Sequence, residues 1–145
     1  MNAATDSAPP AKPAATCRVI RPAGTYDGKQ GFAYVGGISA ESVGAEKICM
    51  MLLTIPPGGR AKAHLHQDHE TAIYVVSGES ETWYGHDLSQ HATIKAGEMF
   101  YIPAGVPHLP FNASATEPCV AVLARTDPNE QESVVLRPDL EAMSP

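Results

Sequence analysis

Short apolar runs alternate with turns rich in glycine and proline along most of the chain. The runs contain many Val, Ile, Tyr and Phe residues, and turn sequences such as "PPGG", "SGES", "KAGE" and "PAG" bound them. This composition and spacing are typical of β-strands joined by tight turns. The pattern predicts strands at residues 17–21, 32–36, 48–55, 71–77, 80–85, 99–103 and 119–125.

The longest run and the C-terminal segment refine this pattern. "ICMMLLTI" at 48–55 is apolar on both faces, which predicts a strand buried within a sandwich or barrel. The candidate helix is "RPDLEAM" near the C-terminus, with room for one or two turns, and the preceding "ESVVL" could be an edge strand. Many short strands and almost no helix predict an all-β sandwich or barrel.

The size and charge of the chain narrow its function classes. Its 145 residues suffice for one domain, and 43% hydrophobic and 18% charged residues are ordinary for a soluble globular protein. The formal net charge of -6 argues against nucleic-acid binding, and no basic amphipathic stretch indicates a membrane surface. Cys17, Cys49 and Cys119 are widely spaced, which favours free thiols in a reducing compartment, with the latter two in the core.

The ends of the chain differ in composition from its middle. Residues 1–16 are rich in Ala, Pro, Ser and Thr and lack the features of a secretory signal, so we expect a disordered or loosely attached arm on a cytoplasmic protein. Residues 17–136 are expected to form a single domain, and residues 137–145 a C-terminal tail. No segment approaches the length of a transmembrane span.

The segment "HLHQDHE", residues 64–70, concentrates the candidate chemistry. On a strand, His64 and His66 project to the same side, so both imidazoles can aim at one point. Glu70 opens the next strand and can face back toward them, and another imidazole would complete a set that suits a divalent transition metal. His69 is expected to face away. The alternative is a polar loop that is merely rich in histidine.

A second segment, "GEMFYIPAGVPHLPFN" at 97–112, supplies a further imidazole. Together with "GGRAKAHLHQDHETAIYVVSG" at 58–78, it resembles the two signature motifs of the cupin family. Seven residues, rather than the six of the family pattern, separate the glutamate of the first motif from its last glycine. The matching residues are Gly58, His64, His66, Glu70 and Gly78 in the first motif, and Gly97, Pro103, Gly105, His108 and Asn112 in the second.

The resemblance implies an all-β cupin fold, a double-stranded β-helix or jelly-roll barrel, with His64, His66, Glu70 and His108 as metal ligands inside it. The cofactor would be one divalent transition metal per chain (Fe, Mn, Ni, Zn or Co) with open positions for substrate or dioxygen. The extra residue before Gly78 predicts a bulge in 71–77 or a shifted turn that leaves Glu70 in place. Otherwise Glu70 does not bind the metal and the site has three histidines. Glu70 is also the candidate catalytic proton acceptor.

Residues near the motifs are candidates for substrate binding. Arg60 and Lys62 precede His64 with strand parity and could hold a substrate carboxylate or enolate, although both could equally be solvated residues near a turn. Tyr101 leads into the "IPAG" turn and could line the pocket. His86 and His91 are interpreted as surface residues.

The resemblance is compatible with several functions. Cupins include dioxygenases, decarboxylases, isomerases, lyases and non-catalytic binding or storage proteins. The ligand set favours a metal-dependent, dioxygenase-like oxidoreductase that acts on a small oxygen-rich organic substrate. The alternatives are a non-catalytic small-molecule-binding cupin and a metal-dependent decarboxylase or isomerase. The expected partners are a small molecule and a second copy of the chain in a homodimer, with neither nucleic acid nor membrane.

Overall fold

The computed structural model describes residues 15–22 and 24–142, and most of its regular structure consists of strands. Two short helices, α1 (Ala40–Val43) and α2 (Pro138–Glu141), accompany them. The strands are β1 (Thr25–Asp27), β2 (Ala33–Ile38), β3 (Cys49–Ile55), β4 (His64–His66), β5 (Thr71–Ser77), β6 (Glu79–Tyr84), β7 (Gln90–Lys95), β8 (Met99–Ile102), β9 (His108–Phe111), β10 (Cys119–Arg125) and β11 (Val134–Leu136).

These strands form two antiparallel sheets. One sheet has six strands in the order β1-β2-β3-β10-β5-β8, and the other has five in the order β11-β4-β9-β6-β7. The main hydrophobic core combines the inward side chains of the six-stranded sheet with Ile94 of β7, so it lies between the two sheets. The all-β prediction is confirmed.

Most of the predicted strands are present, but one is absent and three observed strands were not predicted. Residues 17–21 are irregular, so that prediction is wrong. Val19 and Ile20 are adjacent and would point to opposite faces of a strand, which leaves no apolar row to bury. β1, β7 and β9 were not predicted, because β1 and β9 are only three and four residues long and most side chains of β7 are exposed.

β3 corrects the expectation that residues 48–55 are buried on both faces. Its burial alternates from Cys49 onward, and Met51 is almost fully buried. Met50 is 44% exposed and Leu52 is 38% exposed on the other face. An apolar strand therefore presents one of its faces to solvent in the monomer.

β5 contains the predicted bulge. Its pairing with β10 passes from Val75 directly to Ser77, so Val76 is the extra residue. The shift comes at the end of the strand, and the first residues of β5 keep their regular alternation. The bulge therefore absorbs the seventh residue before Gly78 without turning Glu70 inward.

The C-terminal elements cover the five-stranded sheet. β11 pairs with β4 at the edge of that sheet, and α2 places Leu140 against Leu109 of β9 and Leu88. The predicted edge strand and the single helical turn after it are confirmed. No helix within the described ranges is long and apolar enough to cross a membrane, and the cytoplasmic location stays a prediction. Residues 1–14 of the expected arm lie outside the described residues, so the division into arm, domain and tail also stays a prediction.

Candidate metal centre

Three buried histidines converge on the inner face of the five-stranded sheet. His64 and His66 alternate on β4, so their side chains share one face, and His108 of β9 lies directly opposite His64. Their ring centroids lie 4.3, 4.8 and 5.2 Å apart. Strand pairing therefore brings together the three histidines on which the sequence analysis focused.

Backbone carbonyl groups fix the orientation of two of these rings. The Nδ1 of His64 lies 2.6 Å from the carbonyl oxygen of Lys62, and the Nδ1 of His108 lies 2.9 Å from that of Val106. A carbonyl oxygen can only accept, so each Nδ1 donates and each Nε2 keeps its lone pair. This is the tautomer in which an imidazole binds a metal through Nε2.

The spacing of the nitrogens also suits a metal ion. The Nε2 atoms of His66 and His108 are 3.1 Å apart. Two nitrogens that each lie about 2 Å from one ion would themselves be about 3 Å apart. His64 offers a third nitrogen, and the three ligand atoms all lie within 4.8 Å of one another. The residues therefore fit a divalent transition metal that keeps further coordination positions open.

Burial holds two of these imidazoles, those of His64 and His108, in the neutral, metal-binding form. It lowers the pKa of His64 to about 4, although the hydrogen bond to Lys62 opposes the shift. Burial, together with the neighbouring His64 and His66, holds the pKa of His108 well below its usual range. Because metal ligands must be deprotonated, both rings are competent at neutral pH.

A carboxylate that the sequence analysis did not identify lies behind His66. Glu132, just before β11, is 5% exposed, and its Oε2 lies 3.2 Å from His66 Nδ1 and 3.1 Å from His69 Nε2. Arg125 Nη1 lies 3.0 Å from the same oxygen, and the Gln30 amide donates to Oε1 at 2.9 Å. The arrangement is a buried ion pair extended by two imidazoles.

These contacts keep Glu132 ionised. Burial alone would raise the pKa of Glu132, but hydrogen bonds from His66 and His69 and the charge of Arg125 outweigh burial and lower it far below its usual range. A carboxylate behind the Nδ1 of a metal-binding histidine fixes the ring and makes the other nitrogen more basic. Since Arg125 balances its charge, Glu132 adds no net charge to the site.

His69 does not occupy its expected position. It was predicted to face away from the site, yet it is 3% exposed and its Nε2 lies 2.7 Å from His66 Nδ1. β5 begins only at Thr71, so His69 belongs to the preceding turn and escapes strand alternation. His66, His69 and Glu132 form a second group of potential ligand atoms, but the guanidinium of Arg125 on Glu132 disfavours a cation there.

Glu70 does not join the histidines, which corrects the four-ligand set expected from the sequence. Its side chain is exposed, and its Oε1 accepts a hydrogen bond of 2.6 Å from the Tyr101 hydroxyl. Thr71, Ile73 and Val75 face inward on β5, so position 70 faces outward by strand parity. The structure therefore matches the three-histidine alternative, and Glu70 is not placed to bind the metal or to accept a proton there.

Thr71 takes the inward position instead. It lies directly opposite Arg125 of β10 and Ile102 of β8, and it is 3% exposed. With the three histidines it lines an interior cavity of about 50 Å³ whose other walls are mainly aliphatic and aromatic. Its Oγ1 is buried without a hydrogen-bond partner. The cavity thus presents an uncommitted hydroxyl beside three imidazoles.

The expected substrate-binding residues do not line this cavity. Arg60 and Lys62 are exposed, because regular strand structure begins only at His64. Ala63 and His64 are adjacent and both buried, so burial does not alternate there as it does along a strand. The orientation of Arg60 and Lys62 therefore cannot be inferred from that of His64. Tyr101 is 58% exposed on the outer side of β8. Arg60 and Lys62 therefore remain candidates only for contacts outside the cavity, whereas Tyr101 lines a second, outer pocket next to it.

Arg125 is the sequence signal that could have revealed Glu132. The strand "CVAVLAR" alternates in burial, and Arg125 has the parity of the residues that enter the core. A buried guanidinium requires an anionic partner, which predicts an acidic side chain nearby. Asp127, Glu130 and Glu132 all follow within a few residues, and only the path of the chain selects Glu132.

Known proteins share this architecture. Residues 51–124, just over half of the chain, match the Cupin domain family. None of the curated proteins matches the chain. Among solved structures, a Klebsiella pneumoniae protein with a double-stranded beta-helix domain is 23% identical with a TM-score of 0.55, over 63% of this chain and 71% of that one.

Two enzymes of known structure share the fold as well. Oxalate decarboxylase from Lactobacillus farciminis is 21% identical with a TM-score of 0.64, over 84% of this chain and 36% of that one. An oxalate oxidase is 23% identical with a TM-score of 0.62, over 76% of this chain and 57% of that one. The chain thus spans well under two thirds of each enzyme, and such identities show the fold alone. The matched family segment contains all three histidines, and the chain belongs to the cupin family.

Proposed function

We propose that the chain is a metal-dependent enzyme, a dioxygenase-like oxidoreductase that uses one divalent transition metal to act on a small oxygen-rich organic substrate. The observation that carries the proposal is the convergence of three buried imidazoles, two of them oriented by backbone carbonyl groups. A bound divalent ion would supply Lewis acidity and, if redox-active, dioxygen activation. His64, His66 and His108 are the proposed ligands.

The charge balance of the site favours an anionic substrate group. An imidazole that binds a metal does so as a neutral ligand, and Arg125 already compensates the carboxylate of Glu132. These residues therefore provide no anionic ligand that would balance the charge of a divalent ion. A substrate carboxylate or enolate would supply the missing negative charge, and the apolar cavity walls would strengthen that attraction by excluding water.

Thr71 and Glu132 have distinct proposed roles around the ligands. The hydroxyl of Thr71 would donate to an oxygen of the bound substrate, which would satisfy a buried group that otherwise lacks a partner. Glu132, supported by His69, holds His66 from the Nδ1 side and is a positioning residue. Neither role requires Glu70.

Elemental analysis of protein purified without a histidine tag tests the metal proposal. We expect about one divalent transition metal per chain after reconstitution, and a His108→Ala variant should lose it. His91→Ala is the matched control, because His91 lies on β7 and contacts Glu81 at 3.3 Å outside the site. A wild-type protein that cannot be loaded, or a His108→Ala variant with full metal content, would overturn the ligand assignment.

Dioxygen uptake then tests the reaction. The loaded protein is screened against diketones, catechols, flavonols, thiols and oxalate, and we expect uptake with at least one of them that the His108→Ala variant lacks. Carbon dioxide release without dioxygen uptake would replace the oxygenase proposal with a decarboxylase. Stoichiometric metal and ligand binding without turnover of any of these compounds would leave a non-catalytic binding module.

We also propose that the chain forms a homodimer through the outward face of the six-stranded sheet. Two rows of directly opposed residues cross β3, β10, β5 and β8, and neither row contains a charged side chain. Their most exposed member, Met99, has 78% of its surface accessible. The rows are Leu52, Val122, Tyr74 and Met99, and Met50, Ala124, Ala72 and Tyr101.

The size and chemistry of this face fit a second copy of the chain. The exposed residues of the two rows would supply roughly 600 Å², close to the ~800 Å² per partner of a standard interface. The outer side of the five-stranded sheet, by contrast, is covered by α2 and Leu88. A face of apolar rows without charged side chains is complementary to itself, so two copies can pair about a twofold axis.

Light scattering after size exclusion tests the dimer. The wild type is expected at twice the chain mass, and Tyr74→Lys at the chain mass, because a lysine at the centre of the face would be desolvated without a partner. Thr93→Lys, on exposed β7, should remain dimeric. A monomeric wild type would contradict the proposal, and a dimeric Tyr74→Lys variant would move the contact elsewhere, such as the β11 edge.

A further inference from the structure

A second cavity, of about 470 Å³, adjoins the candidate metal centre. It lies where the ends of β6 and β8 meet the 103–107 turn. Phe100, Ile102 and His108 line both this outer pocket and the inner cavity, so the two spaces adjoin at these three side chains. The outer volume falls within the roughly 300–1,000 Å³ that is typical of small-molecule pockets.

The inner cavity is too small for a whole organic substrate. One water molecule requires about 10–15 Å³ of such volume, so a cavity of about 50 Å³ holds only a few non-hydrogen atoms. A carboxylate group has three non-hydrogen atoms and fits. The rest of a larger substrate must lie elsewhere, and the outer pocket is the space that shares His108 with the inner cavity.

The residues that line the outer pocket indicate which kind of chemical group the rest of the substrate would carry. Among the described residues that line it, none is an aspartate, glutamate, lysine or arginine. Tyr84 and Phe100 bring ring edges together across the two sheets, with centroids 6.0 Å apart at 64°, and Val106 adds an aliphatic surface. His86 and Gln90 supply polar groups at one side. Such a surface favours an uncharged aromatic group over a second charged one.

We propose that the outer pocket binds an aromatic ring of a substrate whose carboxylate or enolate end reaches the three histidines. This inference rests on the proposed function, because the anionic end is assigned to the metal site. It extends that proposal by naming a two-part substrate class, an aryl-bearing small acid or enolate. Phe100, which is half-buried between the two spaces, forms the wall past which such a molecule must extend.

Acetate and phenylacetate form a matched pair of probes, because they share one carboxylate and differ by the phenyl ring. Calorimetry on the metal-loaded protein is expected to show phenylacetate binding about 10-fold tighter or more, from burial of the ring. Gln90→Trp would fill part of the outer pocket from a residue that orients none of the three histidines, so it should reduce the difference and leave acetate affinity unchanged. Val135→Trp, on β11 away from the pocket, is the matched control and should keep the difference.

A second measurement does not depend on the metal. Benzyl alcohol is titrated into the metal-free, isotopically labelled protein, and we expect the amide resonances of Gly85, His86 and Val106 to shift. Equal affinity for acetate and phenylacetate would overturn the inference even if metal and acetate bind as proposed. If the protein binds no metal, the proposed function fails, and the benzyl alcohol titration decides on the pocket alone. Unmoved amides there would overturn it.

Discussion

Glu70 and Glu132 are two carboxylates with opposite relations to the histidines. Glu70 lies within the histidine-rich segment, four positions after His66, but its side chain is exposed. Glu132 lies 63 positions after His69 and contacts both His66 and His69 in the interior. The difference shows that strand parity and the path of the chain, rather than proximity in sequence, decide which carboxylate serves the site.

The surroundings of the two residues differ in kind. We call Glu132, Arg125, His66 and His69 the Glu132 cluster, in which every member is at least 95% buried. We call Glu70, Tyr101 and Thr126 the Glu70 edge, where the backbone of Glu70 pairs with Thr126 and its carboxylate meets only solvent and one hydroxyl. The cluster is therefore expected to dominate both stability and metal binding.

The largest predicted contrast concerns stability. Glu132→Ala leaves the guanidinium of Arg125 buried without its carboxylate, and we expect it to lower the free energy of unfolding by about 3–5 kcal/mol. Glu70→Ala removes only an exposed contact and should change it by less than about 0.5 kcal/mol. Urea unfolding of the metal-free variants measures both. Equal losses would contradict the division into cluster and edge.

The buried histidines of the candidate metal centre also predict an acid-sensitive fold. The pKa of His64 is lowered to about 4, so between pH 6.5 and 4 the unfolded state binds a proton that the folded state does not. Stability of the metal-free protein should therefore fall as pH decreases through this window, by about 3 kcal/mol from His64 alone. Urea midpoints across pH should show a smaller slope in a His64→Gln variant. Glu70→Gln should leave the slope unchanged.

The sequence predicted the features that depend on local pattern. The alternation of His64 and His66 follows from strand periodicity, and the all-β fold follows from short apolar runs and frequent turns. The partnership of this segment with His108 and the bulge near Val76 were implied by the resemblance to the two cupin motifs, because no local pattern shows which distant segments meet.

The features that were not predicted depend either on contacts between distant segments or on assigning each inward position to the exact residue. Glu70 was expected inside because the inward phase of β5 was assigned one residue out of step: Thr71, Ile73 and Val75 face inward, so Glu70 faces outward. The orientation of His69 was wrong because it was inferred from that of Glu70, although His69 lies in the turn before the strand. Glu132 enters the site only because β11 pairs with β4, which no local pattern indicates.

Glu132 and Glu70 are also expected to differ in their effect on metal affinity, although this difference is smaller than the one in stability. Glu132→Gln keeps the side-chain shape but removes the charge that orients and polarises His66, so we expect metal affinity to fall about 10–100-fold. Glu70→Gln should leave affinity unchanged. Competition against a chromophoric chelator measures both values in folded protein. A loss of affinity confined to Glu70→Gln would return Glu70 to the ligand set and contradict the structure.

The smallest predicted difference is between Thr71→Val and Thr126→Val, each of which replaces a hydroxyl with a methyl group. Thr71 carries a buried hydroxyl without a hydrogen-bond partner, so Thr71→Val should stabilise the metal-free protein by about 1 kcal/mol, because it removes a desolvated polar group. The Oγ1 of Thr126 accepts a 3.0 Å hydrogen bond from the Glu70 backbone, so Thr126→Val should destabilise by about 0.5–1 kcal/mol. Thermal unfolding compares the two. A Thr71→Val variant that is less stable than wild type would show that the hydroxyl has a partner in solution, and the cavity would then lack the free donor assigned to the substrate.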